Sequence, residues 1–141
     1  MAPMSPASSP LKGPQLTPGE GLFVASSPLH GRGVFTTRAF AVGELIEECP
    51  VLIIPADHRP HVDQTSFSGY YFEWKGGAGG LALGFGSLYN HSYRPNARYD
   101  PGKGHKTLRI TAVRAIKPGA EITINYNGSP TSRKKLWFDP A

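Results

Sequence analysis

A single cysteine, Cys49, stands in a chain of 141 residues, so neither an intrachain disulfide nor a cysteine-built zinc cluster is open to it. No window holds the roughly 18 consecutive apolar residues of a membrane-spanning helix, and residues 1–20 lack the apolar stretch of a secretory signal. The expected location is therefore the cytoplasm, or wherever the substrate lies. Acidic residues are in the minority, 10 Asp and Glu against 15 Lys and Arg, for a formal charge of +5. What is plentiful is turn chemistry: 17 Gly and 14 Pro beside 39% hydrophobic residues argue against a helical bundle and for short strands joined by turns. The length suits one domain with a modest core.

Charge is unevenly spread along the chain. Residues 40–74 carry Glu44, Glu47, Glu48, Asp57, Asp63 and Glu73 against Arg59 alone, whereas residues 94–117 carry seven Lys and Arg against Asp100. An acidic face would draw a lysine-rich peptide and a basic one would hold nucleic acid; two solvated surfaces are the plainer alternative.

Residues 1–20 hold Pro3, Pro6, Pro10, Pro14 and Pro18 and few large apolar groups, too little to offset the entropy of ordering, and read as a flexible leader. The domain is expected to begin near Gly21, with a short strand at Leu22-Phe23-Val24. Leu45–Ile54 is strongly β-forming; Glu47 and Glu48, adjacent on a strand, point to opposite faces and cannot share one substrate. Residues 56–82 are the least legible. Asp57, His58, His61 and Asp63 look superficially like metal ligands, but nothing anchors their geometry and no metal is expected. Tyr70-Tyr71-Phe72-Glu73-Trp74 would wall both a core and a cleft. Ala97–Tyr99 and Thr107–Val113 read as a hairpin, with Leu108, Ile110 and Ala112 on its apolar face. In the last strand Ile122, Ile124 and Tyr126 share a face, which turns the Tyr126 phenol inward.

The densest chemistry lies in Gly84–Tyr99, GFGSLYNHSYRPNARY: small residues that permit close approach, an Asn90-His91 pair rich in hydrogen-bonding groups, and a Pro95-Asn96 turn. This segment resembles the NHS-x-x-PN signature of the SET-domain protein lysine methyltransferases. Gly31-Arg32-Gly33-Val34-Phe35 is similar to that family's first motif, and GAEITINY, residues 119–126, to its last, which ends in the catalytic tyrosine. The block GELIEECP is similar to the short SET proteins of large algal viruses and bacteria.

The resemblance covers about residues 21–138 and implies a mainly β SET-domain (β-clip) fold, in which one segment threads under another as a pseudoknot near the C-terminus. It further implies a leader at 1–20, a SET domain at 21–128, and a post-SET-like tail at 129–141 closing the cofactor site. The implied activity is protein-lysine N-methyltransfer from S-adenosylmethionine, with histone lysine the family's usual target and nuclear or chromatin association in that case. By residue, the resemblance gives Tyr126, Tyr70 and Tyr99 to catalysis and the lysine channel. It gives Gly31, Arg32, Gly33, Asn90, His91 and Tyr126 to the cofactor, with Trp137 or Phe138 folding back over the adenine. The partner is a lysine-containing protein or peptide; a homodimer and an indirect association with nucleic acid stay open. A non-catalytic SET-fold binding module or a basic nucleic-acid-associated protein are the competing readings.

Overall fold

The computed structural model describes residues 19–136. Its strands are β1 (Leu22–Ser26), β2 (Arg32–Thr36), β3 (Leu45–Ile54), β4 (Phe72–Glu73), β5 (Gly79–Ala82), β6 (Asn90–His91), β7 (Ala97–Pro101), β8 (Thr107–Ala112) and β9 (Glu121–Ile124), with one short α-helix, α1 (Arg59–Val62), and four single turns of 3-10 helix among the described residues. They form two sheets, ordered β1-β2-β9-β6 and β4-β5-β3-β8-β7. The fold is the mainly β one that the sequence implies. No helix among the described residues is long and apolar enough to cross a membrane.

The ordered body reaches further upstream than Gly21. Gly19 is already buried, its carbonyl accepts the Leu22 amide at 3.1 Å, and it lies against Glu47 and Phe85. The rest of the leader expected at residues 1–20, residues 1–18, lies outside the described residues.

In the larger sheet β7 and β8 form the expected hairpin, in the register Tyr99↔Ile110, and β3 pairs antiparallel with both β8 and β5. Leu108, Ile110 and Ala112 face inward and are buried, together with Ile46, Cys49 and Ala97. Val34, Ile122 and Ile124 of the smaller sheet join the same core, and Phe40 and Ile116, paired in an isolated bridge, extend it. Burying each such aliphatic side chain contributes roughly 1.5–3 kcal/mol. The acidic and basic thirds of the sequence are not separate faces, because β3 from one lies beside β8 from the other. Glu48 accepts from Arg109 at 3.0 Å and from Thr107 at 2.7 Å across that boundary.

Residues 56–82 acquire their logic from aromatic packing on glycine. A Cβ on Gly79 would come within 2.8 Å of the Tyr71 ring, and one on Gly80 within 2.7 Å of Trp74. β5 is glycine-rich because the aromatic run lies across it. Arg59 on α1 then fastens the layer: its guanidinium forks onto Glu73 at 2.9 and 2.7 Å and reaches the Gly77 carbonyl at 2.9 Å. The Tyr71 hydroxyl donates to Asp63 at 2.7 Å. Among the described residues no group of three or more His, Cys, Asp or Glu is placed to hold a metal ion.

β9 sits between two strands from much earlier in the chain, antiparallel to β2 (Val34↔Ile122) and parallel to β6 (Asn90↔Thr123). The Asn96 side chain bonds to it as a stub of strand would, accepting from the Thr123 amide at 2.9 Å and donating to the Glu121 carbonyl at 2.8 Å. Beyond β9 the chain is tied back to the centre: Tyr93 Oη and Asn127 Nδ2 both donate to the Lys134 carbonyl, at 3.0 and 2.7 Å. This interlacing of early, central and late segments is what the threaded fold requires.

Candidate active site

Tyr126 follows β9 after one residue, Asn125. That strand is buried on both faces, Thr123 and Asn125 as well as Ile122 and Ile124, so strand alternation alone does not turn Tyr126 inward. Three hydrogen bonds set it instead. Its amide donates to His91 Nδ1 at 3.0 Å, its carbonyl accepts from Tyr99 Oη at 3.1 Å, and its own phenol donates to the Tyr89 carbonyl at 2.6 Å. Burial, with Tyr70 and Glu121 nearby, pushes the Tyr126 phenol up to about 12, so it is neutral and a donor at any physiological pH.

Two cavities meet at this phenol. One, of about 550 Å³, is walled by His30, Gly31, Arg32, Leu88 and Asn90. The other, of about 380 Å³, is walled by Phe72, Glu73, Tyr89 and Tyr99 together with Arg59 and Asp63. Ser68, Gly69, Tyr70, Ser87 and Tyr126 line both. Tyr126 and Tyr70 thus stand at the passage from one chamber to the other. Tyr99 packs on Phe72 with ring centroids 4.7 Å apart, and burial, reinforced by Glu73 and Asp100, raises its phenol above the ordinary range.

The SET domain family matches this chain over residues 31–127. A histone-lysine N-methyltransferase of Schizosaccharomyces pombe, specific for H3 lysine-37, is 32% identical over 119 residues, which span 84% of this chain and 77% of the yeast protein. A crystal structure of a candidate histone methyltransferase of Plasmodium falciparum superposes with a TM-score of 0.64 at 33% identity, covering 77% of this chain and 95% of that one. The chain belongs to the SET-domain family. It is a protein-lysine N-methyltransferase, and the methyl donor of that family is S-adenosylmethionine.

Within this SET domain, Asn90 carries a task that the motif does not reveal. Its side-chain amide nitrogen donates to the carbonyls of His30 (3.2 Å) and Arg32 (2.8 Å) and to Glu121 Oε2 (2.8 Å), while Ser27 Oγ donates to the other Glu121 oxygen at 2.7 Å. The loop from Ser27 to Arg32 is therefore clamped to β6 and β9. The two glycines of GRG have different surroundings. A Cβ on Gly33 would lie 2.1 Å from Glu121 Oε2 and 2.9 Å from Asn90 Nδ2; here the space is filled by the clamp. Gly31 lines the larger chamber with a φ of +53°, and a Cβ there would meet nothing within 4 Å, so the cradle is open at this point.

That open cradle is the observation by which the donor can be tested against the site. The larger chamber lies within the roughly 300–1,000 Å³ of small-molecule sites. Its wall supplies main-chain groups, an exposed Arg32 suited to a carboxylate, and glycine where a side chain would intrude. The residues fit. His91 is buried with Nδ1 engaged by the Tyr126 amide and Nε2 without a hydrogen-bond partner; its ring meets Tyr93 and Tyr126 edge-on at 4.4 and 5.3 Å. Burial lowers its pKa, so the imidazole is neutral, and Nδ1 accepting fixes the proton on Nε2. Trp137 and Phe138 lie outside the described residues.

Sequence reading missed three contributors. Tyr89, 1% exposed, supplies the carbonyl that holds Tyr126. Glu121 anchors the clamp, although it stands inside a quoted motif. Glu47 is 2% exposed; it does point away from the half-buried Glu48, as alternation expects, but a register shift between Leu45 and Glu47 leaves it buried next to Ile46, which alternation does not expect.

Proposed function

We propose that this enzyme transfers methyl groups from S-adenosylmethionine to a lysine of a histone, with the donor in the larger chamber and the lysine in the smaller. The observation that carries this reading is that Tyr126, anchored at both its amide and its phenol, lines the two chambers at once. On this reading Gly31, Arg32, Gly33, Asn90 and His91 hold the donor, and Tyr70, Tyr99 and Tyr126 handle the amine. The likeness to the yeast H3-specific enzyme supports the histone target, and a nuclear or chromatin-bound location goes with it.

When bound, S-adenosylmethionine supplies an electrophilic methyl on a sulfonium centre. The work of the chain's own residues is positioning. The target amine has a reference pKa of about 10.4 and must be neutral to act as a nucleophile. A chamber walled by Phe72, Tyr89, Tyr99 and Tyr126 disfavours the ammonium by desolvation. Tyr126 is not the base that removes its proton, since a phenol raised to about 12 holds its own. With that hydroxyl committed to the Tyr89 carbonyl, its oxygen lone pairs face the passage and hold the amine in line. The stiffness of this arrangement comes from Tyr99 and His91, which fix the Tyr126 main chain from two sides.

Incubation of the full chain with isotopically labelled cofactor and purified core histones, followed by mass spectrometry, tests the proposal. Label on a histone H3 lysine is the expected result. Label confined to a non-histone basic protein would move the substrate, and no transfer to any lysine would overturn the assignment of the chambers.

A further inference from the structure

Glu47 is a carboxylate inside the core, and the chemistry described so far gives it nothing to do. It lies on β3 among Ile46 and Cys49, 2% exposed. A carboxylate is expensive to bury and is kept where hydrogen bonds hold it in place. Both its oxygens are engaged. Oε2 accepts the Phe85 amide at 3.0 Å, and Oε1 accepts the Tyr89 hydroxyl at 2.7 Å. Charge-assisted bonds of this kind are short and directional.

Both partners lead to the passage between the chambers. Phe85 opens the turn that continues through Gly86–Leu88; Gly86 and Ser87 line the smaller chamber, Ser87 and Leu88 the larger. Tyr89 is gripped at the tip of its ring by Glu47 and offers its carbonyl, at the other end of the residue, to the Tyr126 phenol at 2.6 Å. Burial and the neighbouring carboxylate raise the Tyr89 phenol well above the ordinary range, so it stays a donor to Glu47 throughout the working pH. Glu47, Tyr89 and Tyr126 form a line of two hydrogen bonds running from the core of β3 to the phenol at the passage.

We infer that Glu47 is a positioning residue for methyl transfer, setting through Tyr89 the carbonyl on which the Tyr126 hydroxyl is aimed. This rests on the role proposed above for Tyr126. A role in stability alone would lower the melting temperature and leave turnover at low temperature intact; positioning lowers turnover and leaves the donor chamber unaffected.

The test compares Glu47→Gln, Tyr89→Phe and Tyr126→Phe, singly and combined, in the full chain well below the melting temperature. Glu47→Gln keeps the shape and loses one acceptor; Tyr89→Phe keeps the ring and loses the donor. Each is expected to lower kcat on histone H3 on the order of tenfold with cofactor affinity unchanged. In the Tyr126→Phe background the same changes are expected to cost nothing further, since the group they aim is gone. A second readout needs no substrate: in protein labelled with ¹³C-tyrosine, the Tyr126 ring signal, identified by its loss in Tyr126→Phe, should shift in Glu47→Gln. If the Gln variant does not fold, Tyr89→Phe carries both readouts. Unmoved Tyr126 signals, or losses that simply multiply with that of Tyr126→Phe, overturn the inference while leaving the role of Tyr126 intact. Full activity in Tyr126→Phe itself overturns that role instead, and the ring shift alone then judges whether Glu47 positions the phenol.

Discussion

The two chambers that meet at Tyr126 are made of different material. The larger is walled by the main chain of a glycine loop, held in shape from behind by Asn90 and Glu121. The smaller is walled largely by aromatic side chains, of which Tyr99 and Tyr126 donate their hydroxyls to the backbones of Tyr126 and Tyr89. A wall of main chain resists change of residue type but fails if its backing moves. A wall of side chains keeps its frame and changes its chemistry one hydroxyl at a time. Substitutions behind the first should therefore act on cofactor affinity, and substitutions in the second on rate and product.

The largest effect is expected at the junction. Tyr126→Phe should lower kcat by about a hundredfold or more while calorimetry finds cofactor binding nearly unchanged. Because the phenol is neutral until about pH 12, both forms should show the same rise in kcat/KM between pH 7 and 10. A rising limb that disappears with the hydroxyl would show the phenol itself titrating.

Gly33→Ala comes next and strikes only the main-chain side. Its Cβ would press on the Glu121–Asn90 pair, an overpacking that costs roughly 1–3 kcal/mol and should weaken cofactor binding about tenfold. Gly31→Ala, which meets no protein atom but adds a methyl to a residue lining the chamber, should weaken binding with a smaller loss of melting temperature, that of holding an alanine at a φ of +53°. Equal melting losses in the two variants would break the distinction drawn between them.

Tyr99→Phe tests the side-chain wall. It removes a hydrogen bond to the Tyr126 carbonyl, about 0.5–1.5 kcal/mol, and frees space beside the amine. The wild-type chain is expected to add one or two methyls and the variant more, read by mass spectrometry of the products. Efficient trimethylation by the wild type would show that Tyr99 does not limit the chamber.

The smallest effect is a pH dependence of stability from His91. Burial depresses its folded pKa, so its contribution is present above the unfolded value of about 6.5 and is lost as pH falls through the folded one. In His91→Gln, whose side-chain oxygen can still accept the Tyr126 amide, the melting temperature should fall less between pH 7 and 5. Identical slopes would remove His91 from the account.

Much of this was legible in the sequence, for physical reasons. The span Leu45–Ile54 and the hairpin around Asp100–Lys106 declare themselves through β-branched runs and turn residues, and the inward face of β8 through alternation. Tyr126, Tyr99, Gly31 and Asn90 stand out because three motifs occur in order, and Tyr70 through the aromatic run 70–74; all five line the chambers. What escaped depended on contacts between distant residues. The bulge that buries Glu47 leaves no mark on the strand pattern, and Gly33 is fixed by a glutamate 88 positions later. Residues 56–82 stayed opaque because aromatic rings lying on glycines have no sequence period.

The place of β9 between β2 and β6 sets an order of events during synthesis. The strand that divides those two follows its partner Phe35 by more than eighty residues. Until it emerges, β2 and β6 have no common neighbour, the loop after Ser27 lacks the Glu121 half of its clamp, and Tyr126 does not yet exist. Long-range closures of this kind are slow and leave apolar surface waiting. The final strand both completes the sheet and creates the passage between the chambers, so methyl transfer can begin only once the fold is closed.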